Sequence, residues 1–107
     1  MTAPTRTEPR RSTRVPIRIR VEVQSTGASC EGETTVVNLH GALVRMSEPL
    51  ELGARVTIHV QLTGKSAAGR VVLASRESPL EIGIGLDQPQ NIWGISLPPA
   101  DWQEETA

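Results

Sequence analysis

Val15, Ile17, Ile19, Val21 and Val23 alternate without a break with Pro16, Arg18, Arg20, Glu22 and Gln24. Successive side chains on a strand point to opposite faces, so this period-2 run predicts a strand with an apolar inner face and a charged outer one. A helix would scatter the same residues around its axis. The alternation returns at Arg55–Leu62, with Val56, Ile58, Val60 and Leu62 on one face and Thr57, His59 and Gln61 on the other. Thr34–Val37 and Ala42–Met46 flank a tight turn through Asn38 and Gly41, and Ala67–Ala74 reads as another strand. Glu81–Leu86 reads as a short strand bent at Gly83 and Gly85. The stretch STGASCEGE, residues 25–33, reads as a turn-rich connection, and Ile92–Leu97 as one more extended piece. Pro99 suits the first turn of a short C-terminal helix.

Six strands separated by turn signals predict a small all-β domain, and a six-stranded antiparallel β-barrel hides the edges that an open sheet would expose. Composition agrees with this. The 107 residues include no Phe, no Tyr and two Trp, so Val, Ile and Leu must fill the core. β-branched side chains favour strands. A chain of this length makes one domain. Residues 1–13, rich in Thr, Pro and Arg and without an apolar pattern, read as a flexible arginine-rich arm, and residues 14–107 as the barrel.

The net charge of −1 hides a split. Residues 1–20 carry six arginines against Glu8 alone, whereas residues 76–107 carry Arg76 against six acids. A basic end of this kind points to an anionic partner. Catalysis has no support: His40 and His59 lack partners in any known nucleophile or zinc pattern, and the chain is expected not to be an enzyme. Cys30 is the single cysteine, which excludes an internal disulfide. No cofactor or metal is expected. No apolar run approaches the about 18 residues that span a membrane, and no secretory signal pattern is present, so a cytoplasmic domain is the expectation. General nucleic-acid binding lacks the Phe and Tyr rings that stack on bases.

Arg10-Arg11-Ser12-Thr13-Arg14 sets two arginines four residues apart directly before the first alternating strand. Guanidinium groups form paired hydrogen bonds to phosphate or to the O6 and N7 edge of guanine, and they stack on flat rings. Downstream, Thr34-Thr35-Val36-Val37-Asn38-Leu39-His40-Gly41-Ala42-Leu43-Val44 is a strand, a polar turn with a glycine, and a strand. Small and polar residues at such a turn let a flat ligand approach the backbone.

The RxxxR sequence before a strand, with a [D/N]xSxxG-like turn about 20 residues later, resembles the PilZ domain. The ending, Glu81–Leu86 and then Pro89–Trp102, is similar to the last part of one bacterial subgroup of that family. The resemblance covers residues 10–102. It implies a six-stranded β-barrel that binds the bacterial second messenger cyclic di-GMP and passes the signal to a separate protein partner. It places Arg10, Arg11 and Arg14 on the phosphates and guanine edges, and Asn38, His40 and Gly41 on the other side of the ligand. Aligned on Gly41 without gaps, the family's Asp/Asn falls on Val36 and its Ser on Asn38. One polar contact of the turn is then missing, and the alternative is a degenerate PilZ adaptor that binds a protein and no nucleotide.

Overall fold

The computed structural model describes residues 13–75, 80–96, 98–100 and 102. Alternating Val and Ile build the strands β1 (Val15–Pro16), β2 (Arg20–Ser25), β3 (Ala28–Asn38), β4 (Gly41–Met46), β5 (Arg55–Val60), β6 (Lys65–Ala74) and β7 (Glu81–Leu86). All pairings are antiparallel, in the order β1-β3-β2-β5-β6-β7-β4, and β4 pairs back onto β3. That pairing closes β2 to β7 into the expected six-stranded barrel. β1 is an additional short strand that lies beyond β2 along the same edge of β3. Val21, Val23, Val37, Val44, Ile58, Val60, Ile82 and Ile84 fill the interior, and Trp93 and Trp102 join them.

The first strand is interrupted where the sequence predicts continuity. Between β1 and β2, the hydroxyl of Thr34 takes over the ladder: it accepts from the Ile19 amide at 2.9 Å and donates to the Ile17 carbonyl at 2.6 Å. Thr34 is fully buried at 0% exposure, and its own amide donates to the Ile19 carbonyl. On the opposite edge of β3, the register with β4 slips between Thr34 and Val36. A second slip lies between Val71 and Leu73, opposite β7. Bulges of this kind bend a strand and re-aim its side chains. Here Val72 and Leu73 are both turned outward, at 56% and 53% exposure.

Three expectations need correction. Residues 28–33 are not a loop but the first half of β3, paired with β2 across a tight turn at Thr26–Gly27, where Gly27 has φ 73°. Their small and acidic residues hide a strand whose inward positions are Cys30 and Gly32. Of the expected extended piece Ile92–Leu97, Leu97 lies outside the described residues and residues 92–96 are not a strand: Ile92 and Trp93 are buried from an irregular segment that turns at Gly94. Leu62 does not continue the inner face of β5, because β5 ends at Val60 and the Gly64 amide closes a turn onto the Val60 carbonyl; Leu62 is 80% exposed. The expected C-terminal helix falls mostly outside the described residues, and at its start the Trp102 amide donates to the Pro99 carbonyl at 3.0 Å.

Thr34→Val keeps the volume and removes the hydroxyl, leaving the Ile19 amide buried without its partner. The expected loss is about 1–3 kcal/mol in denaturant unfolding, with Thr34→Ser much closer to wild type. Equal stability of all three proteins would show that the hydroxyl is dispensable.

Candidate functional site

β1 brings Arg14, the last residue of the arginine motif, to the turn. Val15 pairs with Val37, so one step further along the register Arg14 stands opposite Asn38. Asn38 pairs with Gly41, Gly41 with Gly85, and Gly85 with Arg70. One row of positions around the barrel therefore runs from Arg14 through Asn38 and two glycines to Arg70. Four strand spacings separate the arginines, about 19 Å along the wall. The next row in the sheet is apolar: Val36 pairs with Leu43, and both Leu43 and Leu73 pair with Gly83.

The apolar row and the Arg14–Gly85 part of the first row, which stops short of Arg70, form a depression of about 380 Å³ on the outer wall, bordered by Arg14, Val36, Asn38, His40, Gly41, Leu43, Val72 and Leu73 with Gly83 and Gly85 in its bed. Glycines leave the floor flat, and the bulge at Val72 raises one rim. Gly41 has a further reason to lack a side chain. A Cβ there would collide with the Ile84 carbonyl oxygen, which is backbone and cannot step aside. At Gly85 a Cβ would meet a Val72 methyl at 3.2 Å, and that side chain can move.

The turn is held from all sides. The Asn38 side-chain oxygen accepts from the His40 amide at 2.8 Å, which leaves the Asn38 amide group as a donor. The carbonyl oxygens of the turn are taken in succession: that of Asn38 by the Trp93 indole N–H at 2.9 Å, that of Leu39 by the Gln90 amide at 3.0 Å, and that of His40 by the Leu86 amide at 2.8 Å. Leu39 itself is buried, so the turn is anchored in the core.

Beyond Arg70, Arg55 grips Asp87 with two hydrogen bonds of 3.1 and 2.7 Å. Those bonds are the main reason the Asp87 carboxyl is held below its ordinary range; partial dehydration opposes them, and the charges of Arg55 and Arg70 add to them. Arg70 acts on Asp87 through charge, while Arg55 supplies the hydrogen bonds.

Of the residues singled out in the sequence, Arg14, Asn38, His40 and Gly41 border this one depression. Arg10 and Arg11 lie outside the described residues. Sequence reasoning missed Arg70, whose place follows from the β6–β7 register, and the bed of Leu43, Leu73, Gly83 and Gly85. The spacing of Gly83 and Gly85 was the available signal, because two outward glycines on one strand leave a bare patch. Among the described residues no three His, Cys, Asp or Glu side chains gather to hold a metal, and no helix is long and apolar enough to cross a membrane.

The comparisons with known proteins agree with the fold. A family model described as PilZ domain matches residues 5–91. A solved structure, the PilZ domain of CeSA from a cellulose-synthesizing bacterium, is similar with a TM-score of 0.58 and 29% identity, over 76% of this chain and 85% of that one. No curated protein matches.

Gly41→Ala should destabilise the barrel by more than about 2 kcal/mol, whereas Gly85→Ala should stay within about 1 kcal/mol of wild type. Thermal or denaturant melts of the two variants check the contrast, and equal losses would contradict it.

Proposed function

The chain belongs to the PilZ domain family, a family of cyclic di-GMP receptors, and we propose that its outer-wall depression binds cyclic di-GMP. What supports the reading is the meeting of Arg14, Asn38, His40 and Gly41 on one flat-floored surface. The ligand carries two phosphates and two guanines. Arg14, with Arg10 and Arg11 before it, supplies paired donors for phosphate oxygens and for the O6 and N7 edge of guanine. The Asn38 amide group supplies a neutral donor. Leu43, Leu73 and the glycine floor offer an apolar face on which a purine ring can lie. Arg70, at the far end of the same row, suits the second phosphate.

On this reading the arginine arm becomes ordered as the ligand binds, and a separate partner protein reads the changed surface. The domain then acts as a binding module and not as an enzyme. Val36 bears on the alternative. Val36, Asn38 and Gly41 all border the depression, which favours the gapless registration with the family's turn and puts an apolar side chain where the family carries Asp or Asn. An adaptor that has lost its nucleotide would be expected to show such a change.

Titration calorimetry with cyclic di-GMP tests the proposal. The wild type should give saturable heat. Arg14→Ala should weaken binding about 10- to 150-fold, the cost of a charged hydrogen-bond pair, and Arg70→Ala should weaken it by a smaller factor. Val36→Asp should tighten it. A wild type that gives neither heat nor a thermal shift at saturating ligand would overturn the proposal and leave the adaptor reading.

A further inference from the structure

We propose that the segment from Gln90 to Trp102 is a two-point latch that sets the geometry of the binding site, with Trp93 and Trp102 as positioning residues that touch no ligand. The inference rests on the reading of the depression as the binding site and adds how that site is held and coupled to the rest of the chain.

The two tryptophans are the only aromatic residues in the chain. Each is buried, which core packing explains. Where their N–H groups go is a separate matter. The Trp93 indole donates to the carbonyl of Asn38 at 2.9 Å, across 55 residues of sequence. The Trp102 indole donates to the carbonyl of Thr13 at 2.8 Å, across 89 residues. Asn38 carries the turn side of the site, and Thr13 is the residue before Arg14. One short stretch of chain thus grips the root of the arginine arm with one indole and the turn with the other. Both tryptophans lie after residue 91, where the match to the family model ends. They lie within the ending, Pro89–Trp102, that resembles the last part of one subgroup of the family.

A ligand clamped between two strands gains affinity when both halves are already in place, because less ordering remains at the moment of binding. β1 alone is a weak fixture for Arg14, as it pairs over two residues only. Trp102 supplies the second fixed point. Holding the site in this way is reciprocal: a ligand that prefers the latched geometry also tightens the hold on residues 90–102. A partner that engages this segment would then sense the ligand without touching it.

Trp→Phe keeps an aromatic core residue and deletes the N–H, and a benzothienyl isostere of each indole does so at nearly constant volume. Cyclic di-GMP titrations of Trp102→Phe and Trp93→Phe should each give a Kd raised about 3- to 10-fold, with the isosteres behaving likewise if a Phe variant fails to fold. The pattern of coupling separates positioning from general stability. The Trp102→Phe effect should vanish in an Arg14→Ala background and persist in Asn38→Ala, whereas the Trp93→Phe effect should vanish in Asn38→Ala and persist in Arg14→Ala. Amide exchange at Arg14 and Val15 should quicken in the Trp102 variants without any ligand, a readout that survives if the wild type proves not to bind. Unchanged Kd values, or losses that simply add in every background, would overturn the latch. Unchanged exchange at Arg14 would overturn it independently of the ligand.

Discussion

A single hydroxyl sits where the first strand breaks. Thr34 stands in the middle of β3, bridges the Ile19 amide and the Ile17 carbonyl, and is completely enclosed. Without a polar atom at that point two backbone groups would be buried without partners, which is costly in a barrel interior. With it, β2 can end its pairing with β3 and β1 can resume further along the same edge. Everything at the site follows from that offset. β1 meets β3 at Val36 and Val37, and Arg14 arrives opposite Asn38.

The second constraint is closure. β3 is shared: residues 28–33 pair with β2 on one edge, and residues 32–38 pair with β4 on the other. Closing the barrel in this way brings β7 beside β4, and so places Gly83 and Gly85 next to the motif turn. The flat patch is thus a product of topology acting on residues more than forty positions away from that turn. The bulge at Val72 works in the opposite sense. It places two apolar side chains outward beside the glycines, so the patch has a wall.

The parts of this arrangement that were legible in the sequence are those with a local signal. Period-2 runs marked β2 and β5, and their inward residues are the ones that alternation assigns. The turn at Asn38–Gly41 was readable because Asn and Gly announce it. What escaped were features whose cause is distant. Residues 28–33 carry no apolar run, since Cys30 and Gly32 face inward and a hairpin partner makes the strand. Leu62 matched the face of β5 by spacing, yet hydrogen bonding ends β5 two residues earlier. Arg70 has no motif around it; only the register of β6 on β7 gives it a place. The Ile92–Leu97 stretch reads as extended because it is apolar, but Ile92 and Trp93 are drawn into the core and no strand pairs with residues 92–96.

The same distinction explains why the two tryptophans read as bystanders in the sequence. An indole is long enough to serve the core with its rings and a remote backbone with its N–H, and the second service leaves no mark in the sequence. In a core of Val and Ile, with no other aromatic residue, those two N–H groups are the side-chain donors carried by its largest residues. Each is spent on a main-chain carbonyl beside a functional side chain. A backbone carbonyl cannot be repositioned by a rotamer change, so a bond to it fixes the strand itself. Arg14 and Asn38 face each other across one register step, and the chain that holds them there comes from its opposite end.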